Sequence, residues 1–495
     1  MSISAGNSRP MARRSRPLMA IALLGLTASC AVGPDFTPPQ TTVADRYNTA
    51  GDPKVTTAAS GIVQSFDTTT ALPADWWVLF GTPPLSAMVE EASRNNPDLA
   101  ASQAALRASQ ESLRAGYGVF YPQIAGGADA TRERAAPIRS GQALSGGVFN
   151  LFSLSASVSY ALDVFGGDRR MIEALGASVD LSKAETRATA LTLSANIVNT
   201  AIARAAYRAE IDATERMIAN LTAQVKLARV RATSGTEAYA ASLALESELA
   251  TTEAELPALA QKYDQAGTLL ATLVGRMPGS WSPPDLDLDA ITLPKTIPVS
   301  LPSRLVSQRP DIVAAEASLH AASADIGVAT AAMLPSITLS AGYSANGTKT
   351  STLFNASGAA WDLGAGLTAP IFEGGSLWHR RKQSVEIYHQ AAATYRQTVL
   401  AGFEQVADAL KALDHDAAIL AAREQSQAAA DQALALLQDN YAAGLVSYDQ
   451  VLLSDLQDRQ ARIQRIDATA ARLQDTTALF VAIGGGWWSA DVAAH

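Results

Sequence analysis

The sequence predicts a mostly helical α+β chain in which a unit of helix, two strands and a long helical hairpin occurs twice. Three observations predict it: recurring motifs, segments with a period of two residues, and long segments without proline. Four motifs recur in the same order about 210 residues apart. They are Asn96-Pro97-Asp98-Leu99 with Arg309-Pro310-Asp311-Ile312, Tyr121-Pro122-Gln123-Ile124 with Leu334-Pro335-Ser336-Ile337, Phe165-Gly166-Gly167 with Phe372-Glu373-Gly374-Gly375, and Gly235-Thr236-Glu237-Ala238-Tyr239 with Gly444-Leu445-Val446-Ser447-Tyr448.

The duplication sets the expected domain organisation. Two repeats are predicted, at 81–277 and 303–483, joined by a proline-rich linker at 278–302. Three further segments complete the chain: a cleaved signal peptide at 1–29, an N-terminal linker and belt at 30–80, and a tail at 484–495. We expect the linkers to pack as a belt around the helices.

Four segments alternate between apolar and small polar residues, near 119–134, 151–163, 335–346 and 360–371. This pattern is typical of transmembrane strands around a wet lumen, although a half-buried soluble sheet shows it too. Four strands cannot close a barrel, and open sheet edges are not tolerated in lipid. Closure therefore needs several copies, and three copies give twelve strands.

Two segments, 167–232 and 374–441, contain no proline. At about 1.5 Å per residue, each would form a helix on the order of 100 Å long. Apolar residues follow at alternating steps of three and four, as in Val406, Leu410, Leu413, Ala417 and Leu420. Heptads on both arms predict coiled-coil-like hairpins, with their turns at Gly235 and Gly444.

The N-terminus predicts export from the cytoplasm and lipidation. Arg13, Arg14 and Arg16 precede the apolar run 18–26, which is too short to span a bilayer and is typical of a signal peptide. Small residues then lead to Cys30, the one cysteine of the chain. This ending resembles a bacterial lipobox, and Ala31 after the cysteine favours the outer membrane. An ordinary cleaved signal with an incidental cysteine is the alternative.

Composition and motifs exclude several classes of protein. The net charge of −9 becomes −13 without the four arginines of 1–29, so a nucleic-acid partner is not expected. No other apolar run of 18 residues is apparent, so we expect no transmembrane helix. The five histidines show no metal-ligand spacing, and no nucleophile elbow or phosphate loop occurs, so we expect neither an enzyme nor a metal site. Trp76-Trp77 is interpreted as a packing pair.

The ordered motifs resemble the TolC-like outer membrane factors, in particular their NodT-type lipoprotein branch. The resemblance covers almost all of the mature chain. The residues that carry it, beyond the repeated motifs, are Cys30-Ala31-Val32-Gly33-Pro34-Asp35-Phe36, Trp76-Trp77, Phe80, Leu85, Ala315-Glu316, Ile326-Gly327-Val328-Ala329, Pro370-Ile371-Phe372 and Tyr441-Ala442-Ala443-Gly444.

The resemblance implies a homotrimer in which a 12-strand transmembrane β-barrel continues into a 12-helix periplasmic α-barrel. It implies a passive export duct for a tripartite efflux system, lipid-anchored in the outer membrane. The implied partners are a periplasmic adaptor and an inner-membrane RND-type pump, with diacylglycerol and N-palmitoyl groups on Cys30 and no other cofactor. A duct for type I protein secretion is the alternative function. A periplasmic adaptor would have one hairpin rather than two, and a stand-alone porin would have more strands.

The resemblance also implies sites at the hairpin turns. Adaptor docking is expected at Gly235, Gly444 and Ser447, and a constriction just beyond the second turn. Family members commonly carry two acids three residues apart there, whereas this chain has Leu453 at the second position. The gate candidates are Tyr448, Asp449, Leu452, Leu453 and Asp455. The first, third and fifth of these are expected on one helix face near the trimer axis. Asp449 and Asp455 as solvated surface residues are the alternative.

Overall fold

A computed structural model of the chain describes residues 31–39, 46–49, 51–134, 147–236 and 238–489. The predicted signal peptide, Cys30 and the last six residues of the predicted tail lie outside them. The chain divides into two compact units. The first combines residues 31–38, 109–179 and 317–392, and the second combines 39–108, 180–316 and 393–489. Both predicted repeats therefore contribute to both units.

The described strands are β1 (Ser65–Asp67), β2 (Gln123–Arg134), β3 (Val148–Leu162), β4 (Thr296–Pro298), β5 (Ser336–Gly347) and β6 (Ala359–Thr368). In the first unit, β2, β3, β5 and β6 form one antiparallel sheet in that order. The predicted start at 119 was too early, because Tyr117–Phe120 form a turn of 3-10 helix. In the second unit, β1 and β4 pair in parallel.

The described helices are α1 (Pro83–Asn95), α2 (Pro97–Gly116), α3 (Gly167–Thr233), α4 (Tyr239–Val274), α5 (Pro302–Gln308), α6 (Pro310–Ala331), α7 (Ser376–Ala442) and α8 (Tyr448–Ala482). Helices α3 and α7 each run for 67 residues, close to the predicted extents. The apolar heptad residues Val406, Leu410 and Leu413 of α7 are buried in the protein core.

The duplication is visible in equivalent contacts. Helix α2 begins with Asn96 donating its side-chain amide to the carbonyl of Leu273 at 2.8 Å. The counterpart on α6 is Arg309, which donates to the carbonyl of Ala482 at 2.7 Å. These donors are separated by 213 residues and these acceptors by 209. In each repeat, the residue before helix α2 or α6 therefore bonds to the C-terminal end of the last helix of that repeat. The contact is equivalent, although the two donor side chains differ.

The linker segments pack into the helical core of the second unit. Trp76 and Phe80 are fully buried, and both lie against Phe480 of α8 with ring centroids 5.6 and 6.2 Å away. Ile297, on β4, is buried in the same cluster. Burying a large apolar side chain contributes about 1.5–3 kcal/mol, so these segments stabilise the unit rather than merely connecting its helices.

A second belt contact surrounds a buried arginine that the sequence did not single out. Arg472 on α8 has no exposed surface, and it donates to Gln64, Thr56 and the carbonyl of Ala59 at 3.1–3.4 Å. The turn that carries these acceptors also binds Glu424 on α7 through the backbone N–H of Ser60. The N-terminal belt is thus attached to both long helices of the second repeat.

The expectation that no further segment could span a membrane was wrong by length and composition. Among the described residues, one helix, Pro310–Ala331, is long and apolar enough to do so. The alanine-rich composition raises its mean hydropathy. The helix contains Glu316, His320 and Asp325, and 44% of its most apolar 18-residue stretch is buried within the single chain.

Candidate functional site

The four-stranded sheet has one apolar and one polar face. The register places the large apolar side chains on the same face, and the single chain leaves most of them exposed. They are Ile124, Leu154, Leu339, Tyr343, Trp361, Leu363 and Leu367. A soluble sheet packs such a face against a core, whereas a transmembrane barrel turns it toward lipid. This face can therefore serve as a lipid-facing wall.

The opposite face carries small and polar side chains. Ser153, Ser155, Ser157 and Ser159 of β3 alternate with its apolar residues. Ser153 donates its hydroxyl to Asn346 of β5 across the strand pair at 2.8 Å. Asp362 of β6 also lies on this face, opposite Gly342. If this face lines a hydrated lumen, its polar groups retain their hydrogen bonds to water.

Both hairpin turns contain a glycine in the left-handed conformation. The φ of Gly235 is 75° and that of Gly444 is 74°, and a Cβ at either would meet nothing within 4 Å. Helices α3 and α7 end in equivalent hydrogen bonds across these turns. The backbone N–H of Thr236 donates to the carbonyl of Arg231, and that of Leu445 donates to the carbonyl of Asn440. Glycine ends a helix without strain in this geometry. The side chain of Leu445 is exposed, so each turn presents open surface.

The second turn leads into the residues proposed as a gate. Tyr448 and Leu452 lie on one face of α8, as predicted, but they pack within the chain. Their neighbours are the apolar side chains Met217, Leu221, Val225, Ala228, Leu245 and Leu249 of α3 and α4. Tyr448 also meets Tyr441 of α7 edge to face, with ring centroids 5.4 Å apart. These two gate candidates therefore belong to the core of the hairpins.

Asp455 follows on the same face and is also interior, with 4% of its surface exposed. It lines a polar cavity of about 260 Å³ together with Asn220 of α3 and Asp431 of α7. Its Oδ2 atom has no hydrogen-bond partner among the residues that the structure describes. Burial raises the pKa of Asp455. Neither the axial position nor the solvated surface predicted for Asp455 fits this placement, because the other helices of the same chain cover it.

Two gate candidates remain on the surface. Asp449 is exposed, and Leu453 has 59% of its surface exposed. Residues four apart on a helix are neighbours, so these two side chains form one exposed strip beside the turn. Asp449 is compatible with both interpretations offered by the sequence, a solvated surface residue and a lumen-lining one.

The segment after Cys30 is bound to its own chain in the first unit, which sequence reasoning missed. The backbone N–H of Val32 donates to the carbonyl of Phe165 at 2.9 Å, and Asp35 pairs with Arg170 at 2.6 Å. Arg170 also pairs with Glu173, whose carboxylate contacts His320 at 2.9 Å. The sequence feature that could have indicated these contacts is the group of charged residues within alanine-rich helices.

No metal-binding constellation occurs in the part of the chain that the structure describes. No group of three or more His, Cys, Asp or Glu side chains there is arranged to hold a metal ion. His320 is occupied by its contact with Glu173 and by stacking on Phe36, with ring centroids 4.3 Å apart. His379 and His415 are exposed.

Comparison with known proteins identifies the family. The family model described as outer membrane efflux protein matches residues 88–276 and 301–485. The chain is similar to the pyoverdine export outer membrane protein OpmQ of Pseudomonas aeruginosa, with 31% identity over 419 residues, covering 84% of this chain and 88% of that protein. It is also similar to SilC of Salmonella typhimurium, a probable outer membrane lipoprotein, with 27% identity over 95% of this chain and 98% of that protein.

The fold is also that of a known channel. The solved structure of the outer-membrane channel OprN superimposes with a TM-score of 0.83 at 25% identity, covering 92% of this chain and all of that one. Together, the two-faced sheet, the long helical hairpins and these matches place the chain in the outer membrane. The chain belongs to the outer membrane efflux protein family and is the outer-membrane channel component of a tripartite efflux system.

Proposed function

We propose that three copies of the chain form one closed, passive export duct. The observation that supports this most directly is the four-stranded sheet, whose edge strands β2 and β6 have no further strand partner among the described residues. Unpaired edges are costly in lipid, so a membrane-spanning sheet has to close on itself. Three chains supply twelve strands, and the long hairpins of α3–α4 and α7–α8 supply twelve helices.

The exported material is proposed to be a small solute rather than a protein. Relatives of this chain are named for pyoverdine export, cation efflux and antibiotic efflux, all small cargoes. We propose that an RND-type inner-membrane pump drives the transport and that a periplasmic adaptor connects it to the duct. The exposed turns at Gly235 and Gly444, with Ser447 beside the second, are the proposed adaptor contacts.

Cys30 is proposed to carry diacylglycerol and N-palmitoyl groups. Support comes from the bound segment that follows it, because Ala31 lies against Gly166, where a Cβ would be only 2.6 Å from the Cα of Ala31. Ala31, the residue that follows Cys30 in the sequence, therefore lies at the junction between β3 and α3.

Replacement of Cys30 tests the lipidation. Cys30→Ser should abolish incorporation of radiolabelled palmitate. The four-stranded sheet should still direct the chain to the outer membrane. The apolar face of the transmembrane strands is a membrane anchor that does not depend on the acyl groups, so the strands should retain the variant. Undiminished labelling of Cys30→Ser would show that another residue is the acylated one.

The exposed strip of Asp449 and Leu453 is proposed to line the constriction. Tyr448 and Leu452 support this strip from behind by packing against α3 and α4, and Asp455 lines the cavity that α3 and α7 border. Three copies of Asp449 near one axis would attract cations and repel each other. The exposed leucine would make the same constriction partly apolar.

Conductance in planar bilayers tests both the duct and the gate. The purified protein should give small, cation-selective currents, because the constriction is narrow and acidic. Asp449→Asn should reduce the cation selectivity severalfold, and Leu453→Ala should raise the conductance. Asp455→Asn is the matched control, since its side chain is buried and should leave selectivity unchanged. An absence of channels would contradict the proposed duct, whereas channels unaffected by Asp449→Asn would contradict this gate.

A further inference from the structure

The first turns of α7 carry a concentrated positive charge. Arg380, Arg381 and Lys382 are the one run of three consecutive basic residues in the sequence, and all three are exposed. The chain as a whole is acidic, with a net charge of −9. This basic run is therefore a local exception to the charge of the protein, and it lies in the same compact unit as the four-stranded sheet.

The first repeat has no basic run at the equivalent place. Helices α3 and α7 both contain 67 residues and begin 209 residues apart, at Gly167 and Ser376. The equivalents of the basic run are therefore Met171, Ile172 and Glu173. Ile172 is buried, whereas the position equivalent to it in α7 is an exposed arginine. The duplicated architecture thus does not require the positive charge.

The arginines that begin α3 are neutralised within the chain. Arg169 pairs with Asp163 at 3.1 Å, and Arg170 pairs with Asp35 at 2.6 Å. Each of these cations has a carboxylate of its own chain beside it. The start of α3 therefore shows how this fold compensates basic residues when it uses them to hold its own segments together.

The basic run of α7 has neutral neighbours instead. Arg381 donates its Nε–H to the hydroxyl of Thr330 at 3.2 Å, and Nζ of Lys382 lies 3.7 Å from the ring centroid of Trp378. Within the described ranges, no carboxylate forms an ion pair with any of the three basic residues. Their charge is therefore available to an anionic partner outside the chain.

Exposed apolar side chains connect the sheet to the basic run. Ile371 and Phe372 follow β6 with 96% and 88% of their surface exposed, and Trp378 in the first turn of α7 has 46% exposed. Apolar residues thus come first along the chain, tryptophan next and cations last. The same order occurs across a bilayer boundary, where tryptophan lies at the head groups and basic side chains reach the polar layer. The three cations outnumber the two exposed acids that flank them, Glu373 and Glu386.

The position along the helix also suits a membrane surface. Arg380 and Lys382 lie four and six residues after Ser376, about 6 and 9 Å along the axis of α7. The polar layer on each side of a hydrocarbon core is about 5–8 Å thick. Helical side chains tilt toward the N-terminus, which is the end of α7 that is joined to the sheet. Long basic side chains at these positions can therefore reach back to lipid phosphates.

We infer that the basic run of α7 binds the phosphate groups of anionic phospholipids, in the membrane leaflet nearest the long helices. The inference rests on the proposed lipid-facing wall and adds an electrostatic contact at the edge of that wall. Charge complementarity favours phosphatidylglycerol, which has a net negative head group, over the zwitterionic phosphatidylcholine. Trp378, which contacts Lys382, lies at the depth of the same head groups.

Fluorescence quenching by brominated lipids tests this contact in the whole protein. The protein is reconstituted into phosphatidylcholine vesicles that contain a minority of phosphatidylglycerol, and either lipid is brominated near its head group at the same molar fraction. The signal lost in Trp378→Phe is the contribution of Trp378. Brominated phosphatidylglycerol should quench that contribution severalfold more than brominated phosphatidylcholine, and added salt should reduce the difference by screening. Equal quenching by the two lipids would overturn the inference.

Trp361 is the matched control in the same vesicles. It lies on the apolar face of β6, is 74% exposed and is separated from the basic run by nearly 20 residues of sequence. Its contribution, identified with Trp361→Phe, should be quenched equally by the two lipids. Failure of both lipids to quench Trp361 would contradict the lipid-facing wall itself. Quenching of Trp361 without any lipid preference at Trp378 would contradict the phosphate contact alone.

Neutralising the basic run should remove the lipid preference without affecting assembly. The combined variant Arg380→Gln, Arg381→Gln and Lys382→Gln should make the quenching of Trp378 by the two lipids equal and leave the mass in detergent unchanged. The control variant replaces three other exposed basic residues by glutamine and should keep the preference; they are Arg304, Arg396 and Lys411. If the first variant keeps the lipid preference and instead changes ion selectivity in planar bilayers, the run lines the lumen and the inference is wrong.

Discussion

Leu363→Arg is expected to abolish most of the outer-membrane assembly of the chain. Leu363 lies on the apolar face near the middle of β6 and is largely exposed, so its loss costs little packing within the chain. An arginine facing lipid costs about 2–4 kcal/mol near the middle of a bilayer, and a trimer would contain three of them. The variant should be recovered from the periplasm or degraded, as measured by membrane fractionation and protease sensitivity.

The adjacent strand provides a matched control. Ser340→Arg adds the same charge beside Ala341, the partner of Leu363, but on the polar face of the sheet. In a hydrated lumen that arginine keeps its water, so insertion should remain near the wild-type level. Equal loss of both variants would show that the two faces do not differ in environment, which would contradict a lipid-facing wall.

Changes at the second hairpin turn are expected to abolish export without affecting assembly. Leu445 is exposed and adjoins Gly444, so Leu445→Glu adds a charge without backbone strain. In cells that depend on this duct, Leu445→Glu and Gly444→Trp should reduce solute export nearly to the level of cells that lack the protein. Membrane fractionation and the mass in detergent should be unchanged, because the turn contributes no core residue.

Gly444→Asn separates docking from strain at the same turn. The φ of 74° disfavours most side chains by about 1–2 kcal/mol, but asparagine adopts this conformation more readily than other residues. This variant should retain most of the export. If Leu445→Glu and Gly444→Trp export normally, the turn is not where the adaptor binds.

The regular parts of the fold could be predicted from the sequence because their periods are long and uninterrupted. Alternation over 335–346 corresponds to β5 at Ser336–Gly347, and the proline-free 167–232 corresponds to α3 at Gly167–Thr233. The ends of the strands were predicted less accurately than their central residues. The expected strand 360–371 overran β6 by three residues, because a period-two pattern does not reveal which residues have a hydrogen-bonding neighbour in one chain.

The candidate site was predicted less completely than the fold. Helical spacing placed Tyr448, Leu452 and Asp455 on one face, but it could not tell whether that face meets an axis or the same chain's other hairpin. In the structure, Tyr448 and Leu452 pack against α3 and α4, and Asp455 lines a cavity bordered by α3 and α7. Arg472 was missed for a related reason, since its partners are residues 56–64, about 400 positions earlier in the chain. Contacts of that separation leave no periodic signal.

One chain is proposed to supply only a third of a closed channel. The most direct measurement is the mass of the purified protein in mild detergent, by native mass spectrometry, on a preparation that also conducts in planar bilayers. The proposed duct predicts a mass of three chains plus their acyl groups, and currents from that species. A folded, stable single chain that conducts, or a trimer-free preparation with an intact sheet, would contradict closure by several copies.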